Sequence, residues 1–249
     1  MYTANIWYQH PIPWCKITLL WFVAMICFSV TGEAQKLKWI RKNNPNYDSK
    51  KFSYGFIIGI HTTAYQVKYS DQFISPVLDT VLAVQPTWSP GFSLGFLVNF
   101  KAFDYLDVRL TPKVAFYEHR LSYEYTGRTY PPQEQLVETT LVEFPLLLKY
   151  KSERRGNIRM YMIGGISPGI EASGKKVIEN IVESLEVKHY NLNLEGGFGM
   201  DLYYPLFKFS PEIRFSRGMV NLLDNTTNKY GQPLKRLNTN TITVYLIFQ

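Results

Sequence analysis

The sequence predicts an all-β chain: an eight-stranded antiparallel transmembrane β-barrel of the outer-membrane type, with both termini periplasmic. Three observations predict it. Large apolar residues alternate with small or charged ones, short connections alternate with long ones, and aromatics collect at the short-connection end of the strands. Phe92, Leu94, Phe96, Val98 and Phe100 share one face, with Gly91, Ser93, Gly95 and Asn99 on the other. Tyr190, Leu192, Leu194, Phe198, Met200 and Leu202 repeat this against Asn191, Asn193, Glu195, Gly197, Gly199 and Asp201. A period of two means a strand between two environments. Here one is broad and apolar and the other narrow and polar, as outside and inside a small membrane barrel.

The alternation places strands near 52–65, 90–100, 105–117, 137–150, 159–170, 190–203, 207–216 and 239–248. The phase of the fifth stays open, because Met162-Ile163-Gly164-Gly165-Ile166 fits either face. Connections 101–104, 151–157 and 204–206 are short, and those between them are long and polar. Outer-membrane barrels have short periplasmic turns and longer external loops, which puts both termini in the periplasm. Phe52, Phe100, Tyr150, Tyr204, Phe207 and Phe248 then form one outward-facing interfacial girdle. A soluble barrel with the apolar phase inside is the competing fold. Its interior has little room for so many large side chains. Gly55, Gly59, Gly91, Gly95, Gly197 and Gly199 all fall in the polar phase, where a narrow lumen needs small residues.

The polar phase carries ten charges. Arg109, Lys113, Lys149, Lys208 and Arg214 oppose Asp107, Glu143, Glu195, Asp201 and Glu212. Unpaired charges in a narrow interior are costly, so an interlocking ion-pair network that plugs the lumen is expected, and with it no general porin activity. Pro112, Pro145, Pro168 and Pro211 fall inside strands, where proline is expected at bulges or irregular rims.

Residues 1–34 read as a cleaved signal peptide. Lys16 precedes an apolar run of about 14 residues, short for a spanning helix, and Gly32-Glu33-Ala34 supplies small residues for cleavage. An uncleaved anchor is the alternative, because the stretch before Lys16 is long and weakly charged. Cys15 and Cys27 both lie here, and Ala24-Met25-Ile26 is a poor acylation context. The mature chain then has neither a disulfide framework nor a thiol nucleophile.

The net charge is +7. Residues 35–51 form a basic periplasmic tail with Lys36, Lys38, Arg41, Lys42, Lys50 and Lys51 against Asp48, ahead of a barrel over 52–249. Such a tail either solvates a terminus or docks on acidic protein or anionic headgroups, with Lys36, Lys38, Arg41 and Lys42 as the partner-docking residues. No module for nucleic acid is present.

Among the histidines, His119 with Ser122 and Glu124 is the one set that could mimic a barrel lipid hydrolase. Chance spacing accounts for it as well. Glu143 with Glu195 or Asp201 reads as ion-pair members. No metal spacing, phosphate loop or nucleotide fingerprint occurs, so no cofactor, no small-molecule substrate and no catalytic or metal residues are expected.

The run Glu143-Phe144-Pro145-Leu146-Leu147-Leu148-Lys149-Tyr150-Lys151-Ser152 resembles the PorT family (SprT in gliding relatives), an outer-membrane component of the type IX secretion system of Bacteroidota. Ser89-Pro90-Gly91-Phe92-Ser93-Leu94-Gly95, Gly197-Phe198-Gly199-Met200-Asp201-Leu202-Tyr203 and Phe207-Lys208-Phe209-Ser210-Pro211-Glu212-Ile213-Arg214-Phe215-Ser216 resemble it too. The likeness runs from about residue 52 to the C-terminus. It implies a non-enzymatic accessory or scaffold subunit that moves cargo bearing a C-terminal signal to the cell surface and that serves gliding in some relatives. It implies further secretion subunits as periplasmic partners and outer-membrane lipid around the barrel, and it carries over no catalytic residue. The aromatic one residue before the C-terminus departs slightly from the usual barrel-assembly signal. A surface adhesin or defence barrel acting through its long loops is the second reading, and a lipid-modifying barrel enzyme the third.

Overall fold

The computed structural model describes residues 42–74, 81–125, 133–172, 185, 187–224 and 230–249. The signal-peptide reading and Lys36, Lys38 and Arg41 lie outside them. Among the described residues there are eleven strands: β1 (Phe52–Tyr69), β2 (Val81–Thr87), β3 (Ser89–Lys101), β4 (Leu106–Leu110), β5 (Lys113–Tyr125), β6 (Gln133–Glu143), β7 (Leu146–Lys151), β8 (Ile158–Glu171), β9 (Tyr190–Tyr203), β10 (Lys208–Gly218) and β11 (Leu234–Phe248). All pair antiparallel, and the sheet closes because β1 pairs with both β3 and β11. Three short gaps, at residues 88, 111–112 and 144–145, divide what are otherwise continuous staves, so the strands form a ring of eight.

Side-chain exposure follows the alternation. On β1, Phe52, Tyr54, Phe56, Ile58 and Ile60 face outward and exposed, while Ile57, Gly59 and His61 face inward. That stretch covers about 20 Å of height at the usual strand tilt, close to the ~25 Å apolar band of such barrels. The girdle aromatics meet in ring contacts, Phe52 with Phe100 across β1 and β3 at 5.1 Å and Tyr204 with Phe207 across the turn after β9 at 4.9 Å between centroids. The phase of the fifth stave is settled: Met160, Met162, Ile166 and Ile170 face outward, and Tyr161, Ile163 and Ser167 are buried inside.

The strands run further outward than the sequence predicts. Above Thr62 the outward positions of β1 become Ala64, Gln66 and Lys68, and on β5 Phe116 is followed by Glu118, Arg120 and Ser122. The inward positions turn apolar at the same height. Tyr65, Leu121, Tyr123, Leu234 and Leu237 pack there with Leu185, Leu222, Leu223 and Tyr230 into one buried cluster. Outside the bilayer the staves stand in water, so the apolar phase moves from wall to interior.

The prolines are not bulges, contrary to expectation. Pro112 and Pro145 fall in the two gaps after β4 and β6, and the register is continuous across both. Pro168 stays in β8 opposite Phe144. Each keeps its carbonyl in the ladder: Pro112 accepts from the Phe96 amide (2.9 Å), Pro145 from Thr111 (3.1 Å) and Pro168 from Phe144 (2.9 Å). The reciprocal bond is missing because proline has no N–H. Pro211 keeps its pairing with Leu246, while the ladder to β9 lapses beside it.

Candidate functional site

All ten charges of the polar phase sit inside the ring and are buried. Asp201 accepts two hydrogen bonds from Lys149 (2.7 and 2.9 Å) and one from Ser210 (2.6 Å). Glu212 is held by Arg109 at 2.7 Å, by Arg214 and by the Tyr161 hydroxyl at 2.7 Å. Arg214 continues to Glu195 (3.2 Å), and Lys113 reaches Glu143 (2.8 Å) and Glu195 (3.7 Å). Asp107 pairs with Lys151 (2.6 Å) and accepts from Asn99 (2.8 Å). These links connect staves on opposite sides of the barrel, so the network braces the lumen as well as filling it.

The fit depends on the small residues opposite. A Cβ on Gly95 would strike Lys113, and one on Gly197 would strike the Ile213 carbonyl, so neither position has room for a side chain. Four members of the network were missed in sequence. Lys151 continues the inward parity of Leu147 and Lys149, and that spacing was signal enough. Tyr117, Tyr161 and Tyr245 looked like further barrel aromatics. Burial turns their hydroxyls into network partners: Tyr117 donates to Glu143 (3.1 Å), Lys113 donates to Tyr245 (2.6 Å), and the Lys149 ammonium lies 3.7 Å from the Tyr161 ring centroid. Aromatic faces receive cations well in desolvated surroundings.

On the outer side of this network four rings lie in sequence. His61 lies 4.5 Å from Tyr117, Tyr117 5.8 Å from His119, and His119 4.2 Å from Tyr65. A small cleft opens beside them, walled by Asn191, Asn193, Thr239 and Thr241. The His119 ring contacts the Thr63 hydroxyl at 3.2 Å and is buried. Ser122 and Glu124 have the opposite parity on β5 and face out of the wall, so the three do not converge. Among the described residues no cluster of metal-ligating side chains occurs.

The periplasmic mouth is closed by the chain's own N-terminal segment. Residues 43–51, expected as part of the free tail, cross the mouth as a strap with a single 3₁₀ turn at Tyr47–Ser49. Asn43 donates its backbone N–H to the Asn157 side chain (2.9 Å) and its amide to the Tyr203 carbonyl (3.0 Å), and Asn44 reaches the Tyr204 carbonyl (2.9 Å). Asp48, the sole acid of the tail, accepts from Arg159 (2.9 Å), the Tyr203 hydroxyl (2.9 Å) and Arg154 (3.4 Å). The Tyr47 ring packs edge-on against Tyr203 at 5.9 Å, and burial pushes its hydroxyl pKa up to about 12. Lys42 stands exposed where the strap begins. A sequence clue did exist: a lone Asp after Asn43-Asn44-Pro45-Asn46 is turn chemistry with a charge that contradicts its surroundings.

Both mouths are thus covered, the inner by the strap and the outer by the apolar cluster, with ion pairs between. Among solved structures, the chain is similar to the outer membrane protein OprG from Pseudomonas aeruginosa (14% identity, TM-score 0.44, covering 79% of this chain and 94% of that one). It is similar too to Neisserial surface protein A (9%, 0.40, 80% and 98%). A third is Ail, the attachment invasion locus protein of Yersinia pestis, in complex with the heparin analogue sucrose octasulfate (12%, 0.35, 80% and 99%). At these identities the likeness is one of fold alone. No curated protein matches the chain. The sequence pattern of the outer membrane protein β-barrel domain family matches residues 33–224, and with the closed ring and its apolar outer wall this chain belongs to that family and resides in the outer membrane.

Proposed function

We propose that this protein is a non-conducting, non-enzymatic barrel that serves as an accessory or scaffold subunit of type IX secretion, in the manner of the PorT family. The observation that supports it most is the filled lumen, which removes transport through the barrel as the obvious task and leaves the two rims. The wall blocks quoted above supply the likeness, and the basic charge of residues 35–42 would suit contact with partner subunits on the periplasmic side. In planar bilayers the purified protein is expected to give no large open steps, and frequent steps of porin size would contradict the filled lumen.

The reading is tested in a clean deletion strain complemented in trans, by comparing cell-surface and periplasmic proteomes. Cargo bearing the C-terminal signal is expected to vanish from the surface and accumulate in the periplasm. Unaltered secretion would dispose of the role. A second complementation, with residues 35–42 removed behind an intact signal peptide, is expected to reduce co-purification of partners while leaving the strap in place.

A second reading, a surface adhesin or defence barrel, is favoured by the staves that rise past the bilayer around their own apolar core. Replacing the external loops would then abolish ligand binding and leave secretion untouched.

A further inference from the structure

We infer that the periplasmic mouth contains a binding site for one small oxyanion, built jointly by the strap and the barrel. A small cleft lies under the strap, lined by five cationic side chains and three carboxylates. The carboxylates are already engaged: Asp48 by Arg159 and Tyr203, Asp107 by Lys151 and Asn99, and Asp201 by Lys149 and Ser210. The surplus is therefore positive.

The donors are the telling part. Lys208 is 3% exposed, and its ammonium lies 3.9 Å from the nearest Asp201 oxygen, beyond hydrogen-bond reach. The Tyr47 ring covers it at 4.5 Å. Among the described residues that ammonium has no hydrogen-bond acceptor. The Nε of Arg159 is buried without a partner, the hydroxyl of Tyr47 has only the Ser53 side chain beside it, and all three residues line the same cleft. A buried ammonium whose nearest carboxylate oxygen is 3.9 Å away is under-satisfied, and with the free Arg159 Nε and the Tyr47 hydroxyl around the same polar space it makes a receptor for negatively charged oxygen. Lys50, at the strap's end, adds a third cation at the opening. The donor set suits a small oxyanion such as phosphate or a carboxylate, seated where the space opens to the periplasm. Tyr47 and Lys50 belong to the strap and Arg159 and Lys208 to the barrel, so occupancy and strap docking favour each other.

The test uses the mature protein refolded into nanodiscs of zwitterionic lipid, titrated calorimetrically at constant ionic strength with inorganic phosphate, acetate and chloride. Saturable one-to-one binding of phosphate or acetate is expected, with chloride inert. Phosphate alone points to a free ion and acetate to a carboxylate such as a peptide side chain. Lys208→Met is expected to weaken binding about tenfold to a hundredfold, the weight of a charged hydrogen bond. Tyr47→Phe, which deletes one oxygen and leaves the packing, is expected to weaken it severalfold. Lys235→Met, at the far end of the barrel where Lys235 pairs with Asp71, is expected to change nothing. Heat-modifiable gel mobility checks that each variant is folded. Binding that equals chloride, or that survives both Lys208→Met and Tyr47→Phe in folded protein, means an adventitious ion only and overturns the inference.

Discussion

Replacing Glu212 by alanine is expected to cost the folded barrel about 3–5 kcal/mol, the usual penalty for stranding a buried charge. Glu212 is the branch point of the network. Arg109, Arg214 and the Tyr161 hydroxyl all converge on it, and each is buried. Its loss leaves two guanidiniums side by side with Glu195 as the remaining contact for Arg214. Water could enter the vacated space, but the staves around it leave little. The measurement is the urea midpoint of the mature protein refolded into lipid vesicles, followed by tryptophan emission and by gel mobility. A shift worth under about 1 kcal/mol would mean a lumen already solvated, and the account of a braced, sealed barrel would fail.

A second large effect is expected on the other face of the wall. Phe96 is 72% exposed and lies midway between Phe92 and the girdle residue Phe100, near the centre of the apolar band. Phe96→Arg is expected to destabilise the barrel by about 2–4 kcal/mol, as for cationic residues at a bilayer midplane. Gln66→Arg, outward on β1 but above the band, is expected to stay within about 0.5 kcal/mol of the parent. Both are read by the same urea titration in vesicles. Equal effects at the two positions would show that the wall stands at a different height in the membrane.

Inside the bilayer the sequence was close to a transcript of the structure, because lipid forces every outward residue to be apolar and the narrow lumen forces small or paired inward ones. The parity of Phe92 to Phe100 and of Tyr190 to Tyr203 reads off directly as outside and inside. Legibility ended where the solvent changed. Past Thr62 and Phe116 water surrounds the staves, the apolar phase crosses to the interior, and alternation read with a single rule stops the strands too early. Partners within the lumen were less legible than membership. Arg109 and Glu212 are 103 residues apart in sequence, and nothing in a list of charges says which of five cations meets which carboxylate. The strap escaped for a related reason: its hold on the rim consists of side-chain amides and one Asp, and no periodicity marks such contacts.

The proline gaps leave the wall unevenly stiff. Phe96, Pro112, Phe144 and Pro168 stand in one row across four neighbouring staves, and Leu97, Thr111, Pro145 and Ser167 in the next. At each of three successive seams one rung of the ladder is gone, so the missing rungs line up like perforations across a sheet. The carbonyls of Phe96, Thr111 and Phe144 thereby forgo a backbone donor in the part of the barrel most distant from water. A cylinder scored along part of its girth does not flex symmetrically: it creases on that side. The amides beside the score, in β4, β5 and β7, should exchange with solvent deuterium sooner than those of β1 and β11, whose ladder runs unbroken from Phe56 to Lys68.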